Sequence, residues 1–139
     1  MYIKKLYDVN IGPIKESLIT FPFNVNGTPK PIIIVGENGS GKSTLLSNIV
    51  DAFYEIAGEA YSNAMQPNDR QGYQYYKAIS NSQINIGQKY LCSYIEFEDI
   101  NCSPSNIDYV FKSGAIDFQT FNQNSKTHLN EKLNWKEEE

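Results

Sequence analysis

The chain has very little of what builds metal centres or disulfide frameworks. Its 139 residues include two cysteines, Cys92 and Cys102, and a single histidine, His128. The ten-residue interval between the cysteines is neither a zinc nor a redox spacing, so two reduced thiols are expected, one of them buried. His128 lies in a polar stretch without a carboxylate or cysteine companion, which excludes it as a ligand or catalyst. An excess of positive charge is also lacking. Twelve Lys and Arg against sixteen Asp and Glu leave a net charge of -4. A nucleic-acid partner is therefore possible through a local basic patch but is not announced by composition. No apolar run approaches the roughly 18 residues of a membrane span. The opening MYIKKLYDV has lysines but no apolar stretch or cleavage site behind them, so it is not a secretory leader. A cytoplasmic protein with no membrane partner is expected.

Aromatic residues are plentiful, with ten Tyr and seven Phe, and 139 residues suffice for one domain with its own core. YIKKLYDVNI and SLITFPFNV read as two strands joined at Gly12-Pro13, with Pro22 marking an edge or bulge. NGTPK at 26–30 is a turn. Ile32-Ile33-Ile34-Val35 is short, continuous and β-branched, which predicts a parallel strand buried on both faces. Leu45, Leu46, Ile49, Val50, Phe53, Ile56 and Ala57 then recur at helical spacing, and Gly58 offers a stop. Residues 59–89 are polar and weakly patterned. A short helix at YQYYKAIS fits there, and Tyr73, Tyr75 and Tyr76 are expected to lie on the core rather than stack on a base. KYLCSYIEFED predicts a strand with one wet face, and NIDYVFKSGAIDFQTF a hairpin about Ser113-Gly114. The tail, NSKTHLNEKLNWKEEE, has helix formers with Leu129 and Leu133 four apart. The division expected is a lobe over 1–123 and the start of a helix over 124–139.

Between the β-branched run and the helix stands GENGSGKST. Gly36 to Ser43 satisfies G-x-x-x-x-G-K-[ST] without a mismatch, in the strand-loop-helix setting that the phosphate-binding loop requires. Phosphate carries concentrated negative charge, so the loop must turn backbone N–H groups inward as an anion nest. Gly39 and Gly41 permit the conformations and close approach that a side chain would block. The helix starting near Lys42 adds the positive end of its dipole. Lys42 is expected to bridge the β- and γ-phosphates, Ser43 to ligate Mg²⁺, and Thr44 to donate to the α-phosphate. Gly36, Asn38, Gly39, Ser40, Gly41, Lys42, Ser43 and Thr44 are the nucleotide-binding candidates, with Ser43 the metal ligand. Chance would supply the four fixed positions in about one chain of this length in a hundred.

GENGSGKSTLL resembles the Walker A loop of ABC-class ATPases, above all the RecF-like and SMC-like heads. IKKLYDVNIGPIKESLITFPF is similar to the strand pair that leads into their loop. The resemblance covers residues 1 to about 57 well and the later strands loosely. It implies an α/β P-loop NTPase: the N-terminal lobe of an ATPase head, with a mixed sheet and an added antiparallel β layer. It implies ATP and Mg²⁺ as cofactors, and a homodimer or a partner chain that completes the head. Among AAA family ATP-binding proteins, the Tyr-rich middle is similar to those of bacterial DNA repair and antiphage defence, including Septu-type and retron-associated ATPases. The early strand-turn would supply base contacts, at Ile14 and Lys15. A metal-reaching glutamine would be one of Gln83, Gln88, Gln119 and Gln123.

The chain departs from that pattern in two ways. It has no apolar run ending in Asp-Glu, the Walker B motif needed for hydrolysis, and no Leu-Ser-Gly-Gly signature. Asp51, Glu96, Glu98 and Asp99 are the nearest acids, none in the right setting, and no catalytic residue is assigned. Hydrolysis would need groups from elsewhere. A non-hydrolysing binding or assembly module is the alternative. A small P-loop kinase fits less well, because about thirty residues of strand-like sequence precede the loop. A GTPase fits least, because no Asn-Lys-x-Asp motif is present.

Overall fold

The computed structural model describes residues 1–60, 78–98 and 106–115. β1 (Tyr2–Ile11) and β2 (Ile14–Thr20) form the expected hairpin, followed by α1 (Lys42–Ala60), a 3₁₀ turn (Asn81–Gln83), β3 (Tyr90–Glu98) and β4 (Asn106–Gly114). The four strands make one antiparallel sheet in the order β2-β1-β3-β4. Every neighbouring pair is antiparallel, from Leu6 opposite Ile19 to Tyr94 opposite Val110. Among the described residues there is thus the antiparallel layer but no mixed sheet, which corrects the expected architecture.

Alternation along β1 and β3 decides which face meets the helix. Leu6, Ile95 and Phe97 point to α1 and pack with Leu45, Ala52 and Tyr109. Ile49 and Ile56 extend that contact, so positions 45, 49, 52 and 56 form the helix stripe on the sheet. Each fully buried side chain there is worth about 1.5–3 kcal/mol. On the opposite face Tyr7 and Tyr94 are buried, and their hydroxyls donate to Glu16 (2.8 Å) and Asp108 (3.0 Å).

The helical positions do not all belong to one stripe. Leu46 and Val50 are 60% and 56% exposed, and point away from the sheet. α1 also continues through Gly58 to Ala60, so the glycine does not stop it.

The predicted parallel strand at 32–35 is the clearest departure. The segment pairs with no strand among the described residues. Ile33 and Val35 are each 87% exposed, and Ile32 and Ile34 are the less exposed alternates. A β-branched run becomes a buried strand only when neighbouring strands take its N–H and C=O groups, and the four strands of the antiparallel sheet do not do so.

The tyrosines 73, 75 and 76 lie outside the described residues. So do Asp99, Cys102, Gln119, Gln123, His128, the second limb of the hairpin expected at Ser113-Gly114 and the tail helix. No helix among the described residues is long and apolar enough to cross a membrane.

Candidate functional site

The glycine-rich segment forms a turn between the extended run and α1. Ser40 donates its N–H to the Glu37 carbonyl (3.2 Å), and Leu45 to the Gly41 carbonyl (2.9 Å). Gly39 and Gly41 have φ of 83° and 101°, the left-handed region open to glycine. The loop curls around its own lysine. Lys42 Nζ donates to the carbonyls of Gly36 and Glu37, both at 2.6 Å, and lies 3.5 Å from Ser40 Oγ. The structure therefore brings Gly36, Asn38, Gly39, Ser40, Gly41, Lys42, Ser43 and Thr44 into one turn and first helical turn, with Ser43 exposed and Thr44 half-buried.

Lys42, Ser43 and Thr44 open α1, where backbone N–H groups have no intrahelical acceptor. Their only supply of acceptors is a side chain, water or an anion. An ammonium held at the loop by two main-chain carbonyls, next to free amides at a helix start, suits a group carrying several negative oxygens that can replace those carbonyls. An exposed serine hydroxyl beside it suits a hard cation such as Mg²⁺.

The β1–β2 turn braces this loop. A Cβ built on Gly41 would lie 2.7 Å from Ile14 Cγ1 and 3.2 Å from Pro13 Cγ. Ile14 thus adjoins the loop, while Lys15 is exposed. Gly12 has φ of 53°, and a Cβ there would meet the Thr44 side chain at 3.4 Å and Gln83 Oε1 at 3.6 Å. The segment carrying Gln83 is tied to Gly12: the Gly12 N–H donates to the Gln83 carbonyl (2.6 Å), and the Asn85 side-chain Nδ2 donates to the Gly12 carbonyl (2.7 Å). Of the candidate glutamines, Gln83 adjoins Gly12, as Thr44 does, whereas Gln88 lies on an exposed turn.

The acids considered for catalysis have structural partners. Asp51 is buried on α1 and accepts the N–H groups of Ala78 (3.2 Å) and Ile79 (2.8 Å). Glu96 and Glu98 face Lys5 (3.7 Å) and Lys4 (3.4 Å). Among the described residues no cluster of three His, Cys, Asp or Glu side chains could hold a metal.

Sequence reasoning missed one group. Asp8 on β1, Asn48 on α1 and Ser93 on β3 meet between sheet and helix, all but sealed from solvent. Asn48 Nδ2 donates to Asp8 Oδ1 (2.8 Å) and Ser93 Oγ (2.6 Å). Burial pushes the Asp8 carboxyl up to about 6, against the lowering effect of hydrogen bonds from Ser93 and Asn48. The signal was present in the sequence. Asp8 stands two residues from Leu6 on one strand face, and Asn48 stands between Leu45 and Ala52 on the buried stripe.

A protein-family model described as AAA domain matches residues 5–139. No curated protein matches the chain.

Proposed function

The chain belongs to the AAA domain family, a branch of the P-loop ATPases, and on that premise we propose that it binds ATP with Mg²⁺ at residues 36–44, as one lobe of an ABC-class, RecF/SMC-like ATPase head. The observation that carries the reading is the loop itself. The Lys42 ammonium sits among the Gly36 and Glu37 carbonyls, beside the open amides of the first turn of α1. Lys42 would exchange these carbonyls for β- and γ-phosphate oxygens. Ser43 would hold Mg²⁺, which neutralises phosphate charge when bound. Thr44 would donate to the α-phosphate. Gln83 and Ile14 are the neighbours placed to sense what occupies the loop.

Hydrolysis on this reading requires an acidic pair and a signature segment supplied by another part of a head or by a partner subunit. The exposed β-branched segment at 32–35 and the outward residues Leu46 and Val50 support such completion, because a second β layer would cover both. The same observation favours the second reading, an assembly module that joins a partner without turnover. By analogy alone, DNA repair or antiphage defence is the setting proposed.

Titrating the folded chain with labelled ATP and Mg²⁺ separates the readings. Saturable binding that is lost in Lys42→Ala, with an unchanged circular dichroism spectrum, supports the ATPase lobe. No binding by the folded wild-type chain removes it and leaves the assembly module.

A further inference from the structure

We propose that Asp8, Asn48 and Ser93 form a proton-dependent clamp on the start of α1, tight when Asp8 carries a proton and loosened when it is ionised. The argument is a count of donors. Asp8 and Ser93 are 0% exposed and Asn48 is 1% exposed. Both N–H groups of Asn48 are spent, one on Asp8 Oδ1 and one on Ser93 Oγ. Asp8 Oδ2 and Asn48 Oδ1 remain buried with no donor. With Asp8 ionised, the cluster is two donors short and holds an unpaired charge. One proton on Asp8 removes the charge and supplies a donor.

Among the described residues nothing around the cluster compensates the charge. On β2 the residue opposite Asp8 is Ser17. β3 offers Ser93 and, next to it, the buried thiol of Cys92. α1 offers Asn48 and then Asp51, another acid, which is occupied by the Ala78 and Ile79 N–H groups. Among the described residues, the ion pairs of Lys4 and Lys5 go to Glu98 and Glu96 rather than to Asp8.

Asn48 lies one helical turn beyond Thr44, so the contact seats the turn that carries the lysine and serine of the phosphate loop. The clamp itself needs no nucleotide; only its consequence for phosphate binding rests on the function proposed above.

The test is made on the full chain without nucleotide. The Asp8 carboxyl is followed by ¹³C NMR from pH 3.5 to 8, and hydrogen-exchange protection of the 46–50 amides is measured over the same range. The expected midpoint is about 6. Protection should fall on the order of tenfold to a hundredfold as pH rises from 3.8 to about 6 and level off above that, since every tenfold change in proton affinity between the closed and open cluster appears as a tenfold change in opening. Asp8→Asn should abolish that fall. An ordinary carboxylate midpoint, or protection that stays flat while Asp8 titrates, overturns the proposal. The flat result would mean that a buried water serves both oxygens. The same fall persisting in Asp8→Asn overturns it as well. If Asp8→Asn does not fold, the two wild-type measurements still decide.

Discussion

Replacing Gly41 by alanine tests whether the β1–β2 turn braces the phosphate loop. Two costs are separable. The first is conformational: φ at Gly41 is 101°, where an L side chain is strained by about 1–2 kcal/mol. The second is steric. The new Cβ would sit 2.7 Å from Ile14 Cγ1, 3.0 Å from Ile14 Cδ1 and 3.2 Å from Pro13 Cγ. Ile14 is packed against the core under α1, so it cannot simply swing away. Overpacking of this kind costs about 1–3 kcal/mol, and Gly41→Ala should lose roughly 2–5 kcal/mol in all. Ile14→Ala removes both Ile14 atoms but leaves φ and Pro13 untouched. The double variant should recover about 1–2 kcal/mol of the sum of the single effects and no more. Urea unfolding of the four proteins, followed by circular dichroism, gives the cycle. A Gly41→Ala cost below about 0.5 kcal/mol, or a coupling energy near zero, would refute the brace.

Two further outcomes follow from burial. The Asp8 carboxyl is raised from 3.8 to about 6, chiefly by desolvation, so between those values the folded chain holds more protons than the unfolded chain. Stability should therefore fall as pH rises through that window and level off above it, by ~3 kcal/mol in total. The urea midpoint of Asp8→Asn should lack this component and exceed that of the wild type at pH 7; an unchanged difference between pH 5 and pH 7 would count against it. Burial, with a smaller contribution from Asp8, pushes the Cys92 thiol up to about 12. At pH 8 its thiolate fraction is then on the order of one in ten thousand. Iodoacetamide should modify Cys92 only in denaturant, as read by peptide mass spectrometry, and rapid native labelling would contradict the assignment.

Several elements were legible from residue order because their causes are local. The hairpin at Gly12-Pro13 follows from turn chemistry between two β-favouring runs, and β1 and β2 form there. GENGSGKST fixes a turn followed by a helix start, because glycine tolerance, the lysine and the hydroxyls are short-range properties. The family follows from the same letters together with the strands around them. The error at Ile32–Val35 has a physical source. β-branching makes a segment suited to burial, but burial itself depends on a neighbouring strand that no local pattern supplies.

What the order of residues settled alone was a glycine-rich turn leading into a two-faced helix, since backbone freedom and helical period are written within a few positions. Only the tertiary structure chose which helix stripe meets the sheet and which stays open. It alone set Ile14 against Gly41, and Gln83 and Thr44 against Gly12. It alone enclosed Asp8 with Asn48, forty residues away, and with Ser93. These contacts join residues from separate elements, and their energies arise when the sheet and helix close over one another and exclude water.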